Sequence, residues 1–266
     1  MQQPPFGAWE TASRGGWSAT LVKQALAAGA DPNEVFKHDP AAGPLHCAAA
    51  SASADGVVAL MEGGAKVNGT TQTGNTPLHI AASSYIHDKA VVEALLAHGA
   101  DTNQRNARGE TALITAVPAP HQTVAPSLGV VAALLAAGAD PGVLLENYTV
   151  ESRSLVAAPY TYAARVALRS PLPRVLLIND PDAATLASML IKAGAAVPEA
   201  GTVIAKDWHA LAAASATWKV VEQAMAWPAS RRCTWIEACL QLGFTADGDT
   251  ATRVHPAKRV CGVLNI

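Results

Sequence analysis

Histidine and cysteine are the residues of this chain with the chemistry for metal binding or nucleophilic catalysis. The eight histidines and four cysteines form no H-E-x-x-H or C-x-x-C motif. Cys233 and Cys239 are six residues apart and would not face each other on one helix, so they indicate no metal site. The G-x-S-x-G, P-loop and dinucleotide-binding motifs are also missing from the sequence. It therefore predicts no catalytic residue, no bound metal, no cofactor and no small-molecule substrate.

His46 and His79 share a context, because each stands in a copy of one repeated unit. The clearest copy is residues 74–82 (GNTPLHIAA), followed by residues 91–103 (VVEALLAHGADTN). The first half recurs at residues 43–49 and, more weakly, at 111–116, and the second half recurs at 26–33, 60–68 and 134–140. Pro44 and Pro77 lie 33 residues apart. A period of this size is typical of stacked repeat proteins.

The residues of the unit predict a pair of short helices. Thr76 is a good N-cap, and Pro77 follows at the first helical position, where its missing N–H has no cost. A broad apolar stripe marks the second helix: Val91, Val92, Leu95 and Leu96. Gly99 ends that helix, most simply in a left-handed conformation. One such pair cannot bury its own apolar faces, so neighbouring pairs must stack.

Thr-Pro-Leu-His, together with Leu-Leu-x-x-Gly-Ala-Asp-x-Asn, closely resembles the ankyrin-repeat family. The resemblance implies an all-α solenoid of about five stacked helix-turn-helix repeats, with β-finger loops between them and a C-terminal capping helix. It also implies that the histidines are structural, each imidazole bridging the threonine and the neighbouring backbone. His46 has Gly43 in place of that threonine, so we expect its bond to go elsewhere. The structural motif residues are Pro44, His46, Thr76, Pro77, His79 and Gly99.

The match fades beyond Gly138, but the same template still aligns. Residues 158–164 fall on residues 76–82, with a second helix at 186–193, and residues 207–213 fall on the same positions once more. The predicted organisation is an N-terminal segment with a capping helix near 19–28 (residues 1–41), repeats one to three (42–157), divergent repeats four and five (158–228), and a capping helix with a tail (229–266).

Insertions lengthen the turn between the paired helices in repeats two, three and four. The longest spans residues 165–185 and carries Arg165, Arg169 and Arg174 beside Leu176. Long ordered loops are commonly functional, so these residues are candidates for binding a partner. The alternative is a decayed repeat whose residues pack back over the stack. The six tryptophans crowd both ends of the chain, where they favour capping of exposed apolar faces over contact with a partner.

Composition sets limits on the partners. The formal net charge of −2 gives no electrostatic case for binding nucleic acid or an anionic membrane. No apolar run reaches the length needed to insert into a membrane, and the N-terminus lacks the blocks of a signal peptide. The four cysteines suit reduced thiols. We therefore expect an intracellular protein, most simply cytoplasmic.

The resemblance implies binding through the concave surface formed by finger tips and first-helix faces. The candidate partner-binding residues are Phe36, Lys37, His38, Gln72, Ser84, Tyr85, Arg105, Arg108, Arg165, Arg169, Arg174 and Leu176. The leading hypothesis is a non-catalytic scaffold or adaptor for another protein, or a fixed subunit of a larger assembly. Two alternatives stay open: an inhibitor or effector that blocks an enzyme, and an enzyme with a site within residues 140–185.

Overall fold

Helices make up the regular structure throughout the described part of the chain. The computed structural model describes residues 7–36, 42–83, 88–117, 127–142, 171–176, 182–195, 197 and 216–225. After a 3-10 turn at Gly7–Trp9, eleven α-helices follow in these residues. They are α1 (Glu10–Arg14), α2 (Ala19–Ala27), α3 (Pro44–Ala50), α4 (Ala54–Glu62), α5 (Pro77–Ala82), α6 (Lys89–Ala97), α7 (Ala112–Ala116), α8 (Leu128–Ala136), α9 (Pro171–Leu176), α10 (Ala183–Lys192) and α11 (Ala216–Met225). The predicted all-α repeat stack is confirmed.

Local sequence sets where these helices begin and end. Pro44 and Pro77 occupy the first positions of α3 and α5, as predicted. The longer second helices α4, α6 and α8 follow Ser53, Asp88 and Ser127, whose side chains accept backbone N–H groups of the first turn. Gly99 follows α6 with φ +84, which confirms the left-handed conformation expected there.

The helices pair within a repeat and stack between repeats. Helix α3 packs on α4, α5 on α6 and α7 on α8, while α3, α5 and α7 form one row and α2, α4, α6 and α8 another. One continuous core lies between the rows and includes Leu45, Leu78 and Leu113 from the first helices and Leu60, Leu95 and Leu134 from the second helices. Each fully buried leucine contributes about 1.5–3 kcal/mol relative to an exposed one. Because every pair shares this core with its neighbours, the pairs stabilise one another.

The N-terminal segment holds a helix pair rather than the single capping helix that the sequence predicted. Helix α1 precedes α2 and packs on it, and its five residues are too few for a clear apolar period. Trp9 and Trp17 are buried with their ring centroids 5.9 Å apart, as a capping role requires. The prediction of Phe36 as a partner-binding residue is wrong. It is only 3% exposed, and its ring centroid lies 6.3 Å from that of Trp17, so it belongs to the core of the N-terminal end.

The segment predicted as a long insertion contains a helix. Within residues 165–185, residues Pro171–Leu176 form α9, which packs on α10. The sequence explains this, since Pro171-Leu172 repeats the Pro-Leu start of α3 and α5, and Leu172 and Val175 are buried. Helix α10 packs on both α8 and α11, so the row of second helices continues. The first helix expected at 158–164 and the capping helix expected after 229 lie outside the described residues.

Three asparagines tie successive repeats together on the turn that follows each second helix. Asn33 donates through Nδ2 to the Gly64 carbonyl at 3.1 Å and accepts the Lys66 N–H at 2.8 Å. Asn68 likewise donates to the Gly99 carbonyl at 3.2 Å and accepts the Asp101 N–H at 2.9 Å. Asn103 donates to the Gly138 carbonyl at 3.2 Å and accepts the Asp140 N–H at 2.9 Å. In the next copy of the unit the asparagine is replaced by Gly142, which has no side chain to continue the series. The asparagine series therefore spans the regular repeats and stops where the sequence begins to diverge.

Threonine and histidine form a second tie between repeats. Thr76 donates its N–H to Nδ1 of His79 at 3.2 Å, and its hydroxyl lies 2.8 Å from the same nitrogen. With Nδ1 acting as acceptor, the proton sits on Nε2, which donates to the Glu110 carbonyl of the following repeat at 2.9 Å. Burial lowers the pKa of His79 and favours this neutral form, although the Glu110 carbonyl opposes the shift. The structural role predicted for His79 is confirmed.

His46 keeps the same arrangement without a threonine. The Gly43 N–H donates to Nδ1 at 3.2 Å, and Nε2 lies 3.1 Å from the Gly69 carbonyl of the next repeat. In place of the missing threonine hydroxyl, the Gly43 backbone N–H is therefore a partner of the His46 ring. The opposite case is Thr111, which caps α7 but has Ile114 at the histidine position. Within the described residues, its buried hydroxyl has no hydrogen-bond partner.

Thr76 and Thr111 can be compared by replacing each with valine, which has the same shape but lacks the hydroxyl. We expect Thr76→Val to lower the free energy of unfolding by about 1–3 kcal/mol, because the His79 N–H loses its acceptor and Nδ1 keeps only the bond from the residue 76 N–H. The matched variant Thr111→Val removes only an unsatisfied buried hydroxyl and should be neutral or stabilising. Urea unfolding of both variants measures the difference. Equal losses in the two would contradict the bonding described for Thr76.

Candidate functional site

A groove lies between α3, α5 and the loop that joins α4 to α5. We call that loop, residues 63–76, the second finger, and the loop between α6 and α7, residues 98–111, the third finger. The groove has a volume of about 200 Å³. Its lining residues are Ala42, His46, Cys47, Ala50, Thr71, Thr73, Asn75 and Ile80. The groove therefore has a floor of small and apolar helix residues and one wall of hydroxyl and amide groups.

Hydrogen bonds within the second finger hold that wall in place. The Thr71 N–H donates to the Asn75 carbonyl at 2.9 Å, and the Asn75 N–H returns to the Thr71 hydroxyl at 3.1 Å. The hydroxyls of Thr71 and Thr73 are 2.9 Å apart, and Asn75 Nδ2 donates to Thr73 at 3.1 Å. These polar groups are thus fixed before any partner arrives.

The third finger continues the wall. The Ala107 N–H donates to the Thr73 carbonyl at 3.0 Å, and Asn106 Nδ2 donates to Asn75 Oδ1 at 2.8 Å. Gly74 lies at this junction with φ +74, and a Cβ on it would stand 2.6 Å from the Ala107 nitrogen. Two residues that line the groove are therefore bonded directly to the residues that precede Arg108.

Glu110 organises the charges of the third finger. Its Oε2 accepts from Arg108 Nε at 2.8 Å and from Asn106 Nδ2 at 3.2 Å. Its Oε1 lies 3.6 Å from Nη2 of Arg174, which reaches it from α9. Two guanidinium groups thus face one carboxylate. The Arg108 side chain is 74% exposed, and that of Arg174 is almost completely buried.

Arg174 is a structural residue, so its prediction as a partner-binding residue is wrong. It is only 6% exposed, and its Nη1 donates to the Ile114 carbonyl at 3.2 Å. A buried guanidinium needs such partners to offset its lost hydration. Arg174 therefore attaches α9 to the regular repeats across 60 residues of sequence.

The structure brings only part of the predicted site together. Gln72 is exposed on the second finger, Arg105 is half-buried on the third, and Arg108 is exposed beside it. Leu176 is the last residue of α9. The remaining candidates, Lys37, His38, Ser84, Tyr85, Arg165 and Arg169, lie outside the described residues. Among the residues that the sequence analysis missed are Cys47 and Ile80, which occupy equivalent positions on α3 and α5. That repeated position could have identified the floor of the groove.

No three or more histidine, cysteine or acidic side chains are grouped within the described residues in a way that would hold a metal ion. None of the described helices combines the length and the apolar character needed to cross a membrane.

Comparison with known proteins agrees with this architecture. The family model for ankyrin repeats (3 copies) matches residues 10–106 and 45–144, so the chain belongs to the ankyrin-repeat family. Ankyrin repeats generally mediate protein–protein interaction. The chain is similar to the human protein named ankyrin repeat and SOCS box protein 18, with 41% identity over 80 residues, which is 30% of this chain. The aligned region spans 17% of that relative's length.

The junction of the two fingers can be tested at two equivalent glycines. Gly74 and Gly109 both have positive φ, +74 and +77, but only Gly74 has backbone within reach of an added Cβ. We expect Gly109→Ala to lower the free energy of unfolding by about 1 kcal/mol, for the left-handed strain alone. Gly74→Ala should cost about 2–4 kcal/mol, since it also pushes Ala107 away from Thr73. Chemical denaturation measures the free energy of unfolding that each variant loses. Equal losses would show that the two fingers do not pack as described.

Proposed function

We propose that this chain is a non-catalytic interaction module, an adaptor or a fixed subunit of a larger assembly, whose concave groove holds a segment of another protein. The observation that supports this most directly is the groove itself. Two successive repeats form it, its floor is small and apolar, and its wall is fixed by hydrogen bonds before binding. A site that is already ordered loses little conformational entropy when a partner binds.

The shape of the groove suits a side chain rather than a flat protein surface. Ala42, Cys47 and Ala50 leave the floor open because their side chains are short. Ile80 supplies apolar contact, while Thr71 and Thr73 offer hydroxyls to the partner's backbone. We therefore propose that an extended segment of the partner lies along the groove and places one apolar side chain on this floor. From the reduced-thiol pattern of the sequence, we also propose a cytoplasmic location.

Filling the groove tests the proposal. Ala50 is exposed at the end of α3, so Ala50→Arg should place a long side chain at the groove with little effect on folding. The matched control is Gln24→Arg, which adds the same side chain at an exposed position of α2. We expect partners purified with the tagged full chain from its source cells to fall about tenfold with Ala50→Arg and to be retained with Gln24→Arg.

Thermal unfolding of both variants serves as the control for folding, and quantitative mass spectrometry measures the partners. Retention of every stoichiometric partner by a folded Ala50→Arg variant would contradict binding through the groove.

A further inference from the structure

We propose that Asn68 is a site of spontaneous deamidation, with the Gly69 backbone nitrogen as the nucleophile, and that the products weaken the ties between the first three repeats. The reaction needs water and no other reactant. It is independent of the proposed function, because it concerns the bonds that hold the repeats together and not what the groove binds.

Asn68 differs from the other two asparagines of the series in the residue that follows it. Asn33 precedes a glutamate and Asn103 precedes a glutamine, whereas Asn68 precedes Gly69. Glycine has no Cβ to shield its nitrogen or to restrict the backbone around it. Of the three sites, residue 68 is therefore the one where the following nitrogen reaches the side-chain amide most easily.

The reaction is an intramolecular acyl transfer followed by hydrolysis. The Gly69 nitrogen loses its proton and attacks Cγ of Asn68, which forms a cyclic succinimide and releases the side-chain nitrogen as ammonia. Water then opens the ring at either of its two carbonyls. One opening leaves aspartate, and the other leaves isoaspartate, in which the main chain runs through the side chain and is longer by a methylene group. Both products carry a new negative charge at residue 68.

The folded turn slows this reaction without preventing it. The Gly69 N–H donates to the Lys66 carbonyl at 3.1 Å. The Asn68 side chain is held by its bonds to Gly99 and Asp101, at 3.2 and 2.9 Å. These bonds must open before the nitrogen can attack. Because Asn68 is exposed, the opening is local to the turn and leaves the core packed.

The Asn68-Gly69 pair holds ties in both directions along the stack. Asn68 bonds forward to the turn that follows α6. The Gly69 carbonyl lies 3.1 Å from Nε2 of His46, which reaches it from α3 of the preceding repeat. His46 also lines the groove, so this joint borders the candidate site.

Both products alter these ties. Loss of Nδ2 removes the donor to the Gly99 carbonyl, and a carboxylate oxygen then faces the carbonyl oxygen in its place. Isoaspartate also lengthens the main chain next to Gly69 and so displaces the carbonyl that His46 contacts. Deamidation at this position therefore weakens the attachment of the second finger to the repeats on either side.

Ageing of the purified full chain tests the proposal. The chain is kept at mildly alkaline pH, where the attacking nitrogen loses its proton more readily, and peptide mass spectrometry follows the three asparagines. We expect Asn68 to convert while Asn33 and Asn103 stay intact. The folded chain should react about ten- to hundredfold more slowly than a synthetic peptide of residues 64–72, because its turn must open first.

Two variants identify the nucleophile. Gly69→Ala adds a Cβ that stands 3.2 Å from the Lys66 carbonyl oxygen, a contact that a small shift relieves. Conversion at Asn68 should then fall about tenfold or more, because the Cβ hinders the attack. Glu34→Gly creates the same asparagine-glycine pair at the first tie, where the residue 34 N–H makes an equivalent turn bond at 3.1 Å. Conversion should now appear at Asn33 as well.

The deamidated chain can be separated from the unmodified chain by anion exchange, since it carries the new charge. We expect the Gly69 and Asp101 amides of the deamidated chain to lose about fivefold or more of their protection from hydrogen exchange, while those of α2 keep theirs. Its thermal unfolding should also have a lower midpoint. Thermal unfolding of Gly69→Ala and Glu34→Gly confirms that both variants are folded.

Each part of the proposal has a result that overturns it. If Asn68 of the folded chain is still intact after about a hundred half-lives of the peptide, it is not a deamidation site. Equal conversion in wild type and in folded Gly69→Ala would rule out the Gly69 nitrogen as the limiting nucleophile. A deamidated chain with unchanged protection and an unchanged midpoint would show that the ties do not depend on the Asn68 amide.

Discussion

The hydrogen bond from His79 Nε2 to the Glu110 carbonyl fixes the position of the third finger relative to the second repeat. A short helix pair cannot bury its own apolar faces, so each repeat needs the next one at a defined distance and rotation. Leucine packing gives most of the free energy but is non-directional. The bonds from His79, His46 and the asparagine series supply the direction, because each joins a side chain of one repeat to a backbone group of the next.

The candidate site is a consequence of the same bonds. Glu110 accepts from His79 through its carbonyl and from Arg108 and Asn106 through its carboxylate. A residue that ties two repeats together therefore also positions the exposed arginine. Arg174 joins this cluster from α9, so the same cluster also connects α9 to the third finger. A neutral His79 suits this arrangement, since its lowered pKa keeps a further positive charge out of a buried cluster.

The sequence predicted the regular repeats because their signals are local. Pro77, Thr76 and Gly99 act through the backbone of their own helix, so their spacing alone located the helix ends. The errors arose where the outcome depends on distant residues. Nothing near Phe36 shows that Trp17 will cover it, and Arg174 meets Ile114 only after 60 residues of chain. The resemblance implied a binding surface of finger tips and first-helix faces, but it did not indicate which residues line the groove, because they come from two helices and a finger. Arg108 was among the candidate residues, whereas the contacts of Glu110 with Arg108, Asn106 and Arg174 are not revealed by its position in the sequence.

The link between His79 and the third finger is tested most directly by hydrogen exchange of the backbone amides. Wild type is compared with His79→Leu, which fills the buried position with an apolar side chain but cannot donate to the Glu110 carbonyl. The amides to follow are Asn106, which donates to the Glu110 carbonyl, Ala107, which donates to Thr73, and Glu110, which donates to the Asn106 side chain. We predict that these three amides lose about tenfold or more of their protection, while the amides of α2 and α4 keep theirs. Unchanged protection of the third finger in a folded His79→Leu variant would contradict the role that we assign to this bond.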